Sequence, residues 1–246
     1  MLNFKKFEWS NEFQFPELEV IEGPPYRQYV IGDKKYPSMT SILKVLEEDD
    51  SWFYAWAARL PGGEAEAHKI VKDAVDRGNN LHHMSEQYLL NNLERKDVSG
   101  PASVMFNRAR RYLDELKTIH GIEVPVYSHQ YEYAGRLDCL ATDMDGDFCI
   151  VDHKNSRSPI NINRGFGRQK LFKYMLQCCG YSKCVEEMHG VRPTHGLLIV
   201  SNFNTMDCKK FKFPLKPLDK NFVNLVDSFY GRADVKLNDY FKLDTK

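Results

Sequence analysis

The chain has 246 residues, of which 42% are hydrophobic and 13% aromatic, and its 34 Lys and Arg residues balance 34 Asp and Glu residues. A chain of this length and composition can bury a large core, so we expect a single domain over residues 1–246. The formal net charge of zero excludes a uniformly basic nucleic-acid coat, but it is compatible with a local basic surface.

The sequence carries no pattern typical of export or membrane insertion. No apolar run approaches the ~20 residues needed to span a bilayer, and the first residues lack the apolar segment of a signal peptide. Glu8 and Glu12 argue against a mitochondrial transit peptide, because such peptides are poor in acidic residues. We therefore expect a cytoplasmic protein without a membrane partner.

The N-terminal part, about residues 18–125, is predicted to contain a hairpin followed by helices. Residues 18–36 hold apolar alternating runs broken by Gly-Pro-Pro and Gly-Asp, which is typical of a hairpin. Ser38 or Thr40 can serve as the N-cap of the helix that follows. Apolar residues at helical spacing predict further helices over about 63–95 and 101–120.

The remainder is predicted to form a sheet with one long helix inside it. Five apolar runs have strand character, at 124–135, 136–144, 147–154, 194–203 and 209–215. Between the third and fourth, helical spacing predicts a helix over 168–190 that ends at Gly190. The predicted fold is α/β, a mixed central sheet flanked by helices, with a core over about 126–213. A last helix over about 219–231 and a tail complete the region 214–246.

An Asp-Gly pair predicts the turn between the second and third strands, and the loop length decides which side chains share a face. With a two-residue loop, Asp138 faces His153 and lies on the opposite face from Asp152. With a three-residue loop over 144–146, Asp138 lies opposite Asp152. The longer loop needs a residue in the left-handed conformation, which Gly146 supplies.

In the second register, Asp138, Asp152 and Lys154 converge on one face of buried strands. Burying three charges costs several kcal/mol per ion unless other groups compensate. A salt bridge with Lys154 explains one carboxylate, whereas a divalent cation explains both, so we favour a metal site. The run DMDGD does not fit an EF-hand, because its glycine is fourth and its twelfth position is Lys154.

Four short motifs occur in a fixed order along the chain: G-x-x-x-H at 78–82, G-x-x-D at 135–138, D-x-K at 152–154 and Q-x-x-x-Y at 177–181. On these predicted elements they resemble the PD-(D/E)XK nuclease superfamily, and within it the RecB-type branch. A closer resemblance is to the mitochondrial genome maintenance exonucleases and their phage-encoded relatives, through YPSMTSIL, RGNNLH, YAGRLDCLA and DHKNS. It covers about residues 20–200.

The resemblance implies a restriction-endonuclease-like core and a DNA exonuclease acting on single strands or DNA ends with Mg²⁺ or Mn²⁺. The metal ligands that it implies are His82, Asp138, Asp152 and the backbone carbonyl of His153. Lys154 would position or help to deprotonate the attacking water, while Gln177 and Tyr181 would organise the site and substrate. Relatives act in replication, recombination or repair, which implies replication or recombination proteins as partners and a bacterial or phage-infected cell as the setting.

Some relatives hold an iron-sulfur cluster with one upstream and several downstream cysteines, but this chain has no cysteine before Cys139 and one, Cys208, after the helix predicted over 168–190. We therefore expect no such cluster. The six cysteines form no C-x-x-C pair and are predicted to be small buried hydrophobic residues.

A basic run is the predicted DNA surface, because positions 154–185 contain seven Lys or Arg residues and no acidic residue. The predicted DNA contacts are Arg157, Arg164, Arg168, Lys170 and Lys173, together with Ser38 and Thr40 at the start of a helix.

Several alternatives stay open. His82 could form a helix-surface pair with Glu86, and His83 beside it leaves the choice of ligand open. A structure-selective endonuclease could use the same site, and a DNA-binding module could retain an inactive nuclease core.

Overall fold

The computed structural model describes residues 4–46, 51–156, 160 and 165–233. In chain order the N-terminal elements are β1 (Glu8–Trp9), β2 (Glu19–Ile21), β3 (Gln28–Ile31), β4 (Lys34–Pro37), α1 (Met39–Ile42), α2 (Ser51–Ala57), α3 (Gly63–Leu89) and α4 (Gly100–Leu113). They are followed by β5 (Leu116–Ser128), β6 (Tyr133–Asp143), β7 (Phe148–Ser156), α5 (Gly165–His189), β8 (His195–Asn202), β9 (Asp207–Pro214) and α6 (Asp219–Phe229). Short 3-10 turns lie at Leu43–Leu46, Arg95–Asp97 and Lys216–Leu218.

The central sheet has six strands in the order β1-β5-β6-β7-β8-β9. β7 and β8 are parallel, as are β1 and β5, and the other neighbours are antiparallel. Residues of α1, α5 and α6 form the core on one face, and residues of α3 and α4 form the core on the other. The prediction of a mixed central sheet flanked by helices is therefore confirmed.

The N-terminal strands form a separate antiparallel sheet in the order β2-β3-β4. Its buried Tyr29, Ile31 and Tyr36 pack against Ala134 of β6. Ser38 joins it to the central sheet, because its N–H donates to Arg27 O at 2.9 Å and it forms a β-bridge with Ala134. Ser38 is also the N-cap of α1.

The sequence interpretation was wrong about the segment before β6. The helix predicted over 101–120 ends at Leu113, and the strand predicted to begin at residue 124 already begins at Leu116. Buried Leu116 and Ile119 belong to the sheet because β6 supplies the hydrogen-bonding partner for their strand. The predicted run 124–135 is divided by a turn after Ser128, so its last residues belong to β6.

The hairpin of β6 and β7 has the predicted three-residue loop. Gly146 has φ +87° and donates its N–H to Asp143 O at 3.1 Å. The pairing runs from Thr142 opposite Phe148 to Cys139 opposite Val151. This is the register that directs Asp138 and Asp152 to the same end of the hairpin.

All six cysteines are buried, as the sequence predicts. Gly190 follows α5 with φ +73° and accounts for the predicted end of that helix. Within the described ranges, no helix combines the length and the apolar character that crossing a membrane requires.

Candidate active site

The candidate site lies where α3 approaches β5 and β6. His82 Nε2 of α3 is 3.1 Å from Asp138 Oδ2 of β6 and 3.3 Å from Glu123 Oε1 of β5. The neighbouring His83 is instead 69% exposed, with Nδ1 3.5 Å from Glu86. The geometry therefore places His82 in the site, and it removes the alternative of a surface pair between His82 and Glu86.

A glycine allows α3 to come this close. A Cβ at Gly78 would lie 3.1 Å from Asn155 Nδ2, which is tighter than ordinary van der Waals contact. Asn155 Nδ2 in turn donates to Ala74 O of α3 at 2.9 Å, tying the helix to β7 next to Lys154. His82 follows Gly78 by one helical turn, so the G-x-x-x-H spacing directs the imidazole onto the end of β6.

The β6–β7 ladder ends beside Asp138. The last pair is Cys139 with Val151, and beyond it the carboxylate of Asp138 accepts the N–H of His153 at 2.8 Å. The His153 ring lies on the α3 side of the sheet, with Nδ1 4.0 Å from Asp138 Oδ2 and its centre 5.8 Å from the His82 ring. Asp138 thus connects β6, β7 and α3.

Asp152 and Lys154 form a buried ion pair on β7. Lys154 Nζ lies 2.8 Å from Asp152 Oδ1 and 2.7 Å from Oδ2, and the Asp152 side chain is fully buried. Among the described residues, Asp152 Oδ2 and Glu123 Oε1 are buried oxygens without a properly oriented hydrogen bond. Each of these oxygens nevertheless has an ion-pair partner, because Asp152 Oδ2 lies beside Lys154 Nζ and Glu123 Oε1 lies beside His82 Nε2.

The pKa shifts in the site arise first from burial and then from neighbouring charges. Burial raises the pKa of Glu123 to about 7, and the charge of Asp138 adds to the rise. Burial also raises the pKa of Asp152, again reinforced by Asp138 and opposed by Lys154. Burial works against the charged form of His82, but the hydrogen bond and charge of Asp138 outweigh it and raise that pKa to about 9.

The residues present could hold a metal ion. Ligand atoms of His82, Asp138 and His153 all lie within 4.8 Å of one another. Asp152 and Glu123 lie outside this group of three, but their charges act on His82 and help to raise its pKa. Carboxylates suit Mg²⁺ and Mn²⁺, and an imidazole moves the preference towards a transition metal.

The fourth motif packs directly against the second. On α5, Gln177 Nε2 donates to Tyr181 Oη at 3.1 Å, and both residues are buried. A Cβ at Gly135 would lie 2.6 Å from Tyr181 Cε1, so the ring occupies the space that any other residue would fill. Gln177, Tyr181 and Asp138 line one cavity.

The predicted DNA contacts are only partly described by the structure. Arg168 is exposed on α5, and Lys170 Nζ lies 3.4 Å from Ser156 Oγ, near the end of β7. Lys173 is half-buried on the same helix, while Arg157 and Arg164 lie outside the described residues.

The other predicted contacts, Ser38 and Thr40, line the cavity beside Asp138. Thr40 is exposed, whereas Ser38 Oγ is already engaged in capping α1, where it accepts the N–H of Ser41 at 3.1 Å. One further member of the basic run, Lys183, points into the fold, where it pairs with Asp219 at 3.3 Å.

Sequence reasoning missed Glu123. Its backbone has φ +52°, a left-handed conformation that is uncommon for a residue other than glycine and that often occurs at functional sites. A signal for the strand was present, because Ile122, Glu123 and Val124 alternate apolar and charged residues as a half-buried strand does. Because residues up to 120 were predicted to be helical, the strand that carries Glu123 was not recognised.

Comparisons with known proteins give distant structural matches. No protein-family profile matches the chain, and no curated protein matches it significantly. A crystal structure from Eubacterium rectale, provisionally described as that of an exonuclease, aligns with a TM-score of 0.41 at 11% identity over 70% of this chain and 76% of that chain. The structure of SSO0001 aligns with a TM-score of 0.32 at 14% identity, over 68% and 77% of the two chains.

Proposed function

We propose that this protein is a metal-dependent DNA exonuclease of the PD-(D/E)XK type, which hydrolyses phosphodiester bonds of single-stranded DNA or DNA ends. The observation that carries the proposal is the meeting of four sequence motifs at one buried acidic centre. His82 and Asp138 are 3.1 Å apart, Lys154 contacts Asp152, and Gln177 bonds Tyr181 beside Asp138.

The chain offers a set of oxygen and nitrogen ligands for Mg²⁺ or Mn²⁺. Asp138 and Asp152 are the carboxylate ligands, and His82 and the backbone carbonyl of His153 complete the proposed set. A bound divalent cation would lower the pKa of a water molecule and offset phosphate charge. Glu123 lies close enough to His82 to orient its ring or to add a further carboxylate.

Lys154 provides the proposed contact with the attacking water and with the phosphate. Its pKa is raised, because Asp152 and Asp138 outweigh burial, so the ammonium form prevails at neutral pH. In that form it orients the water and stabilises negative charge rather than removing a proton. The ring of Tyr174, 5.2 Å from Nζ, helps to hold the ammonium group in place.

DNA is the proposed partner, and Arg168, Lys170 and Lys173 of α5 provide the described part of its phosphate-binding surface. They follow β7, which carries Asp152 and Lys154, so a strand bound along α5 would lead to the site. A role in replication, recombination or repair in a bacterial or phage-infected cell remains part of the proposal.

The test is cleavage of end-labelled linear single-stranded DNA, with circular DNA in parallel, in Mg²⁺, Mn²⁺ and EDTA. We expect metal-dependent loss of linear DNA only. Lys154→Ala should abolish it, while the matched variant Lys209→Ala, at an exposed position of β9, should retain it. Cutting of circles would establish an endonuclease, and DNA binding without cleavage in any metal would establish a binding module.

A further inference from the structure

A cavity of about 160 Å³ lies beside Asp138, between the central sheet and the N-terminal sheet. One water molecule needs roughly 10–15 Å³ of such space, so the cavity can accept a group of the size of a phosphate with part of its sugar. Its walls come from four parts of the fold: the residues around the start of β3, the start of α1, the first half of β6, and α5.

Two guanidinium groups, Arg27 and Arg136, line this cavity together with the hydroxyl-bearing Tyr29 and Tyr181. Both arginines lie near the Tyr29 side chain: burial raises the pKa of Tyr29, and the charges of Arg27 and Arg136 oppose that rise. The cavity therefore joins a positive region to the carboxylate of Asp138.

Both arginines can accept an anionic ligand at little cost. Arg27 Nε pairs with Glu22 at 2.6 Å, but the side chains are 50% and 64% exposed, and exposed pairs contribute little to stability. Arg136 is exposed and donates through Nη1 to Glu123 O at 3.3 Å, which uses one of the five N–H groups of a guanidinium.

The backbone fixes the positions of the two arginines relative to each other. Arg27 O accepts the N–H of Ser38, and Ser38 forms a β-bridge with Ala134, two residues before Arg136. Arg136 itself lies two residues before Asp138 on β6. The N-terminal sheet therefore holds Arg27 at a fixed place beside the candidate metal centre.

We propose that Arg27 and Arg136 bind a phosphate of the substrate strand in this cavity, next to the phosphate that is cleaved at the Asp138 centre. The proposal rests on the proposed nuclease function and assigns a substrate subsite to it. Guanidinium groups bind phosphate oxygens through paired N–H donors, and a phosphate contact of this kind fixes the register of a strand. The N-terminal sheet thereby determines which bond of the strand reaches the catalytic residues.

The test measures binding of short single strands to the Asp152→Asn variant, which is not expected to cleave them, by fluorescence anisotropy. The strands carry one neutral methylphosphonate at each successive position, and further strands carry a phosphate or a hydroxyl at either end. We expect one position at which neutralisation weakens binding about tenfold. Adding Arg27→Ala or Arg136→Ala should reduce that effect to less than about twofold, because the same contact is already lost.

Arg111→Ala is the matched control, since Arg111 is exposed on α4 and outside the cavity lining. It should leave the tenfold effect unchanged. An effect confined to a terminal phosphate would identify the ligand as a phosphate monoester at that end, and an effect at an internal position would identify a phosphodiester. An arginine substitution that weakens the binding of every strand by the same factor, wherever the neutral methylphosphonate lies, would overturn the proposal.

Cleavage by the parent protein separates this subsite from the nuclease function. A parent protein that cuts linear DNA, without a position-specific effect of the arginines, would leave the function standing and remove the subsite. A position-specific effect without cleavage in any metal would retain the phosphate pocket and overturn the nuclease function.

Discussion

Each end of the hairpin of β6 and β7 carries aspartates that pair with a lysine, Lys212 of β9 at the turn and Lys154 of β7 at the other end, and the two groups are balanced differently. At the turn, Lys212 Nζ lies 2.7 Å from Asp143, 3.0 Å from Asp145 and 2.6 Å from Asp147. Asp143 Oδ1 also accepts the N–H groups of Asp145 and Asp147 at 3.0 Å. A cation from the chain itself therefore occupies the centre of the turn group.

The group at the other end lacks this balance. Lys154 contacts Asp152, but Asp152 Oδ2 and Glu123 Oε1 remain buried without an oriented hydrogen bond among the described residues. The two groups differ in burial, since Asp152 is fully buried, whereas two of the three turn aspartates, Asp145 and Asp147, are 79% and 34% exposed. Solvent screens the exposed charges of the turn, whereas the buried group could hold a further cation. Acidic residues of similar spacing can thus form a stabilised turn or a candidate metal centre.

The largest expected effect is on cleavage. Asp152→Asn should lower the rate by more than about 100-fold, because it removes a proposed ligand charge at the reacting centre. Asp145→Asn makes the same change at the exposed turn and should leave the rate within about twofold. The measurement is the initial rate on end-labelled single-stranded DNA in Mn²⁺, with circular dichroism to confirm that both variants fold. Equal rates for the two variants would contradict the assignment of the catalytic end.

Alanine substitutions at two glycines test how tightly each end is packed. Gly135→Ala should cost about 3 kcal/mol of unfolding free energy, because its Cβ would lie 2.6 Å from the Tyr181 ring. Gly146→Ala has no atom within 4 Å of its Cβ and should cost about 1 kcal/mol, through its φ of +87° alone. Urea denaturation measures both costs, and a larger cost at Gly146 would show that the turn is the more constrained end.

The effect of burying the Glu123 carboxyl group can be measured through the pH dependence of stability. Burial raises its pKa to about 7, above the value of an unfolded chain, so the folded protein loses stability as the pH rises from about 4 through 7. In EDTA, Glu123→Gln should therefore be more stable than the parent at pH 8, by on the order of 2 kcal/mol, and equal to it below pH 4. Thermal unfolding across this pH range is the measurement.

Metal should reverse that order. In Mn²⁺ the parent should gain more stability than Glu123→Gln, since the carboxylate then faces a cation. If the parent protein is more stable than the variant at pH 8 in EDTA, other groups of the chain already stabilise the charged form of Glu123, which would contradict this prediction.

The smallest expected effect concerns the turn. Burial disfavours the charged form of Asp143, but the hydrogen bond and charge of Lys212 and the backbone N–H groups of Asp145 and Asp147 together outweigh it and lower the pKa of Asp143. The stability from this pair is thus present above about pH 4 and is lost as the pH falls through the lowered pKa. Lys212→Met should cost about 1 kcal/mol at pH 7 and less at pH 2.5, as measured by urea denaturation. A cost that does not change with pH would assign the loss to packing.

Local sequence rules were sufficient for the hairpin. Gly146 at the left-handed position of a three-residue loop predicts the register, and the pairing of Cys139 with Val151 confirms it. Continuous apolar runs likewise predict β7 and β8, which are buried along most of their length. Turn chemistry and apolar runs depend on neighbouring residues, so they can be recognised without knowledge of the rest of the fold.

Contacts that depend on distant residues were not predictable in the same way. Glu123 reaches the site because β5 pairs with β6, and the left-handed backbone at this residue results from that arrangement. The two-residue strand β1 has no pattern of its own and forms by parallel pairing with β5. Arg27 lines the cavity beside Asp138 because the N-terminal sheet docks on β6 through Ser38. Each of these features is set by tertiary packing, which local patterns do not encode.

The most direct test of whether the metal site lies at the buried end of the hairpin is the affinity for Mn²⁺. Calorimetric titration measures it for the parent protein, Asp152→Asn and Asp145→Asn. We predict that the parent and Asp145→Asn bind Mn²⁺ with the same affinity, and that Asp152→Asn loses at least tenfold in affinity. Unchanged binding by Asp152→Asn, together with weakened binding by Asp145→Asn, would place the ion at the turn and contradict the assignment of the metal centre to the buried end.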